Sequence, residues 1–293
     1  MSYFKLLGFE KEPFSTSPDP DFFYLTKEHE AALTNILIEL RLRRGLSVIL
    51  GDVGTGKTSL SRKLIQCLKE RDDFVMHIVL DPCFESEHLL LTSLIRNFEV
   101  NMDQFLYHIQ PNHTADRLTV LDLKEVLEKF LYQKSMVEQK TVVLVIDEAQ
   151  KLNEASIEML RVLLNYETND RKLLQLVLLG QLELHSRMIR IPNFFDRVSF
   201  KFTLNPLGFQ ETKDMINFRI KQAGYNAKSH LFLDEAIYVV HKASRGYPRK
   251  ITLLCHRALK HLVMKNQWVV DENIMKEIIE EDIRAGWVSQ ILH

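Results

Sequence analysis

Five short apolar-rich runs punctuate the chain: LSVIL (46–50), FVMHIVL (74–80), TVVLVI (141–146), LLQLVLLG (173–180) and VSFKFTL (198–204). Apolar stretches of this length, bounded by polar or turn-forming positions, read as buried strands. Between them the spacing changes. TSLSRKLIQCLKE sets Leu60, Leu64 and Leu68 on one helical stripe, and SEHLLLTSLIRNF follows the second run. EASIEMLRVLLNYE gathers Ile157, Leu160, Val162, Leu163 and Leu164 on one broad face. Strands alternating with helices predict an α/β fold, a parallel five-stranded sheet flanked by helices. Ligands of such sheets collect outside the carboxyl ends of the strands.

From Asn205 the strand pattern stops. GFQETKDMINFRIKQAG, DEAIYVVHKASRG and PRKITLLCHRALKHLVMKN read as successive helices, with Gly224 and Gly246 as stops and Pro248 as a start. A last helix covers about 271–284, which makes a small all-α domain. Residues 99–120 are polar with weak periodicity and read as an irregular excursion near the sheet. No internal repeat or low-complexity tract interrupts the pattern.

Composition narrows the classes. With 293 residues and a formal net charge of −1, the chain has room for a large and a smaller domain and carries no strong overall field toward nucleic acid. Basic residues do cluster locally, in Arg41, Arg43 and Arg44 and along Arg249, Lys250, Arg257, Lys260 and Lys265. No apolar run approaches the ~18 residues of a membrane span, and the first residues lack the pattern of a signal peptide. Cys67, Cys83 and Cys255 are odd in number and without metal-ligand spacing, so they read as reduced structural thiols of a cytoplasmic protein, Cys255 as a core residue. Cys255 and His256 are neighbours, and neighbours on a helix point apart, so they form no catalytic dyad.

One segment carries distinct chemistry. GDVGTGKTSL follows directly on LSVIL and fits G-x-x-x-x-G-K-[ST] at Gly51, Gly56, Lys57 and Thr58. Glycines let the backbone wrap with its N–H groups inward around anionic oxygens, and a helix starting near Lys57 adds its positive end. In that setting Gly51, Asp52, Val53, Gly54, Thr55, Gly56, Lys57, Thr58 and Ser59 would surround the phosphates of a nucleotide. Lys57 would reach the β- and γ-phosphates, and the Thr58 hydroxyl would bind Mg²⁺. The 141–146 run ends in DEAQ, which puts Asp147 and Glu148 at the ligand-bearing edge of the sheet. Asp147 is the expected acidic partner of the Mg²⁺ shell, and Glu148 the residue that would orient or deprotonate the attacking water.

GDVGTGKT and VVLVIDEAQ resemble the Walker A and Walker B motifs of AAA+ ATPases, and the helical tail resembles their lid domain. The opening FKLLGFEKEPFSTSPDPDFFYLTKEHEAAL, together with LLNYET, LQLVLLGQLEL and GYPRKITLLCHRAL, is similar to the ExeA family of general secretion pathway ATPases over about residues 1–285. The resemblance implies an N-terminal segment and first helix (1–45) belonging to the ATPase domain, a P-loop core (46–205) and a lid (206–293). It also implies roles. Gln181 falls where such proteins place sensor 1, Arg249 where they place sensor 2, and Arg197 where a neighbour-directed arginine finger sits, with Arg187 and Arg190 nearby. An Arg at a positive helix start is unfavourable unless an anion compensates, which supports the reading of Arg249. Tyr24 and the two preceding phenylalanines either pack on adenine or belong to the core. A finger implies a homo-oligomer. The longer family members continue into a membrane helix and a peptidoglycan-binding domain that are not part of this sequence, so a stand-alone ATPase module, a natural short member or a piece of a longer protein is expected. The expected partner is a protein of a secretion or pilus apparatus; the alternative is an ATP-dependent DNA-binding regulator of transposition.

Overall fold

The computed structural model describes residues 2–15, 19–105, 118–226 and 230–285. They fall into two compact units: residues 27–52 with 60–204, and the described parts of 1–26, 53–59 and 205–293. The division passes at Thr26/Lys27, inside the N-terminal stretch that the sequence reading kept whole.

The first unit is built on a sheet of β1 (Leu46–Gly51), β2 (Phe74–Val79), β3 (Thr141–Ile146), β4 (Leu174–Gly180) and β5 (Val198–Leu204), all parallel, in the order β2-β3-β4-β1-β5. All five predicted runs are strands. Strand order decides their burial. The three central strands are buried along their whole length, as uninterrupted apolar runs require. β2 and β5 are the edges, so β2 is mostly half-buried and β5 alternates exposed with half-buried positions; neither is the fully buried strand that its composition predicted.

Ahead of the sheet runs a first helical stretch, α1 (Tyr3–Leu6) and α2 (Lys27–Leu42). The crossovers are α3 (Lys57–Lys69), α4 (Glu87–Asn97), α5 (Val120–Tyr132), α6 (Glu154–Leu163), α7 (Leu182–Ile189) and α8 (Pro192–Phe195). Leu60, Leu64 and Leu68 are buried on α3 as their stripe predicts. The supposed excursion at 99–120 is partly structured: Met102–Gln104 make one tight turn, and α5 opens at Val120 under a capping box between Thr119 and Asp122. Residues 106–117 lie outside the described residues. The helix that follows buries Leu123, Val126, Leu127, Phe130 and Leu131, a regular stripe that the reading of the sequence passed over.

In β3, Val142 to Ile146 are all fully buried. Each such side chain contributes roughly 1.5–3 kcal/mol, so the strand that carries Asp147 is among the best anchored in the molecule.

The second unit holds α9 (Phe209–Gln222), α10 (Asp234–Ser244), α11 (Pro248–Lys265) and α12 (Glu272–Arg284) around one apolar core. The N-terminal residues belong to that core: Phe9, Phe14 and Phe22 are buried in it, and Tyr24 packs on Phe218 at a centroid distance of 5.7 Å. Of the two readings of Phe22 and Tyr24, these contacts are those of core residues. Arg219 ties the segment down. Its guanidinium is buried and donates to the carbonyl oxygens of Pro13 (2.8 Å), Ser15 (2.8 Å) and Phe22 (3.4 Å), with Phe14 and Phe22 rings alongside. Burial pulls its pKa down to about 10, still well above neutrality, so the group stays cationic.

The cysteines divide. Cys255 is fully buried, and desolvation pushes its thiol well above the usual range. Cys67 is half-buried, whereas Cys83 is exposed with its thiol donating to Asp81 at 3.2 Å. No helix among the described residues is long and apolar enough to cross a membrane.

Candidate functional site

The loop is set by backbone chemistry. Gly54 and Gly56 adopt φ of 87° and 102°, a region that residues with a β-carbon avoid, and they bring the chain round into α3 at Lys57. A β-carbon on Gly54 would sit 3.1 Å from Cβ of Arg249 and is conformationally strained as well. Thr55 and Lys57 are buried; Thr58 and Ser59 are partly accessible. The first turn of α3 carries no acidic residue, so its positive end is not compensated from within the helix.

A second helix start meets the same loop. α11 begins with Pro248 at its first position, again without an acid in its first turn, and the Arg249 backbone N–H donates to the Gly54 carbonyl at 3.3 Å. The exposed Arg249 therefore stands at a positive helix end beside another positive helix end. That is an unfavourable arrangement alone and a favourable one around an anion.

In the sheet unit, registers fix what shares the carboxyl edge. Ile146 of β3 pairs with Leu178 of β4, and Leu50 of β1 pairs with Gly180, so Gly51, Gln181, Asp147 and Glu148 all leave the sheet on one edge. Asp147 is buried; its N–H donates to Val79 O (2.9 Å), and its carboxylate accepts the Glu148 N–H (2.9 Å). That bond accompanies a left-handed backbone at Glu148 (φ 52°, ψ 35°), an uncommon conformation for a residue with a side chain. Gln181 is the N-cap residue of α7 and makes no side-chain cap bond.

Three arginines singled out in the sequence differ, and Arg197 precedes Val198, which pairs with Leu46, so it lies at the amino end of the strands. Arg187 donates to the carbonyls of Gln150 (2.7 Å) and Leu152 (2.7 Å). Arg197 donates to Asn193 O and to the Asn165 side chain. Arg190 is exposed. The basic row on α11 is largely spoken for. Arg257 pairs with Glu281 and Asp282, Lys265 with Glu277, and Lys260 and Lys250 lie over the rings of Tyr3 and Tyr247. Arg43, in the other basic cluster, is turned onto Ser135, Gln139 and Thr141.

Gln150, which closes DEAQ, also stands at this edge, and its side chain touches both Glu148 and the chain at Gln181. Its position next to the acid pair was visible; the direction of its amide was not.

A glycine-built loop after the second strand from one edge, with an acid pair after β3 in a parallel β2-β3-β4-β1-β5 sheet, defines the P-loop class of protein. Residues 40–188 match the family described as AAA domain, and the chain belongs to that family. It is 34% identical over 260 residues to General secretion pathway protein A of Aeromonas hydrophila, which bears out the resemblance read from the motifs. The match covers 88% of this chain and 44% of that protein, so the chain spans less than half the length of this relative. Two solved structures share the fold. The ORC2 protein of Aeropyrum pernix, in its ADPNP-ADP complexes, gives a TM-score of 0.63 at 17% identity, covering 93% of this chain and 72% of that one. CDC6P of Pyrobaculum aerophilum gives 0.65 at 16%, covering 92% and 70%.

Proposed function

We propose that this protein binds ATP and hydrolyses it to ADP and phosphate, and that the nucleotide state governs assembly of the chain into a homo-oligomer or its action on a protein partner of a cytoplasmic secretion or pilus-type system. The observation that carries the reading is the loop itself: positive-φ glycines at 54 and 56 leading into a helix at Lys57, with Arg249 held against Gly54.

The loop amides of Gly51 to Ser59 would take the triphosphate oxygens, and Lys57 with Arg249 would neutralise the charge that builds on them. Glu148 would orient and deprotonate the attacking water, and Gln181 would contact that water or the γ-phosphate. Mg²⁺, when bound, supplies further neutralisation of the β- and γ-oxygens. Thr58 and Asp147 are the residues that would hold it. Arg197 could serve a neighbouring subunit only by leaving Asn165 and Asn193. The alternative of a DNA-binding regulator gains nothing from α11, whose basic residues are largely paired with acids of α12 or stacked on rings.

The test is phosphate release from ATP with Mg²⁺ by the purified chain, alongside nucleotide affinity. Lys57→Ala removes a charge-assisted contact of about 1.5–3 kcal/mol and is expected to weaken ATP binding ~10–150-fold. Arg249→Ala is expected to lower turnover about tenfold or more, with a smaller loss of ADP affinity, because its charge is needed at the γ end. Wild-type affinity in Lys57→Ala would end the assignment of this loop.

A further inference from the structure

The chemistry around Gln150 is more specific than its place in the motif. Its side-chain oxygen accepts the Gln181 backbone N–H at 3.0 Å, and its side-chain nitrogen donates to Glu148 Oε2 at 2.6 Å. The orientation of this amide is forced. A backbone N–H can only donate and an ionised carboxylate can only accept, so the oxygen must face β4 and the nitrogen must face Glu148.

The amide is anchored at both ends of its residue. The main-chain oxygen of Gln150 accepts from Arg187, which also holds Leu152 O, so the turn Ala149–Lys151 is fastened to α7. The backbone nitrogen of Gln150 lies at ordinary contact distance, 3.4 Å, from where a β-carbon on Gly180 would stand, while Cδ2 of Leu184 on α7 would be only 2.7 Å away. The Glu148 N–H is meanwhile bonded to Asp147. Glu148 is thus held at its backbone by the strand that precedes it and at one carboxylate oxygen by an amide keyed to the neighbouring strand.

We propose that Gln150 is a positioning residue for Glu148: it fixes one carboxylate oxygen and leaves the other to receive the water proton, and through the Gln181 N–H it makes that placement depend on the end of β4. This rests on the reading of Glu148 as the residue that activates water. An acid placed by one rotamer-locked hydrogen bond loses efficiency steeply when the bond goes, because small displacements of a catalytic base cost on the order of 10–100-fold in rate.

Steady-state and single-turnover hydrolysis by the full chain tests it, with binding of a fluorescent ATP analogue and thermal melting in parallel. Gln150→Ala is expected to lower kcat on the order of 10–100-fold, with KM, nucleotide affinity and melting temperature close to wild type. Gln150→Glu keeps the shape and an acceptor for Gln181, but replaces the donor with a like charge; it is expected to lose at least as much. In a Glu148→Gln background, Gln150→Ala should cause no further loss, since there is no longer a base to position. Wild-type kcat in both Gln150 variants, an undiminished effect in the Glu148→Gln background, or an equal loss of nucleotide affinity would each overturn the proposal. A wild-type chain that releases no phosphate at all would instead sink the hydrolytic reading, and this inference with it.

Discussion

Glu148→Gln is expected to bind ATP as the wild-type chain does while releasing phosphate about 10²–10⁴-fold more slowly, the usual worth of a positioned general base. The substitution is nearly isosteric. Asp147 still receives the backbone N–H of residue 148, and the amide oxygen of the new side chain can still accept from Gln150, so the turn has no reason to move. What disappears is basicity: a neutral amide cannot take the proton of an attacking water. The nucleotide contacts assigned to the loop and Arg249 are untouched, so affinity should hold within about twofold. A direct phosphate-release assay beside equilibrium nucleotide binding separates the two. Phosphate release at the wild-type rate would show that Glu148 is not the base; loss of binding would show that it contributes to holding the nucleotide.

Arg219→Leu is expected to produce the largest loss of stability. The leucine matches much of the buried volume but leaves the carbonyls of Pro13, Ser15 and Phe22 without the donor that now serves them. Hydrogen bonds from a charged donor are worth about 1.5–3 kcal/mol each, and the two at 2.8 Å alone put the cost on the order of 3–6 kcal/mol. That corresponds to a fall of about 10 °C or more in melting temperature. The N-terminal segment should become the first site of proteolysis, because its carbonyls are what the arginine holds. A melting temperature within about 2 °C of wild type would mean that water replaces the guanidinium at little cost.

The particular residues show why some features were legible and others not. The five strands were, because a run such as TVVLVI can be satisfied only by burial, and burial is a property of the run. Edge position was legible for β5, whose VSFKFTL alternates apolar with polar residues as a half-exposed strand does, but not for β2, whose run is comparable to the central ones and whose place follows from its pairing with β3 far along the chain. α5 carries a regular apolar stripe and was legible in principle, but its start was hidden behind the polar stretch before it. The described N-terminal residues join the helical unit through Phe9, Phe14 and Phe22 in its core and through Arg219, some two hundred positions later, and no local pattern announces it. The basic row on α11 read as a charged face; α12 supplies Glu277, Glu281 and Asp282 opposite it, and only packing brings those two helices together.

The sequence by itself determined the loop, since glycines at 54 and 56 permit the positive φ that the wrap needs and Lys57 and Thr58 follow at fixed covalent distance; backbone freedom and chain connectivity are local properties of residue type. It also determined that an acid pair leaves a buried strand at Asp147. Only the tertiary structure decided that Gln150 turns its nitrogen to Glu148, that Arg187 and Arg197 are engaged within the chain while Arg249 meets Gly54, and that a thiol at Cys83 is exposed. Those outcomes depend on which donors and acceptors distant segments bring within about 3 Å, and a hydrogen bond falls away so steeply with distance and angle that no sequence pattern fixes it.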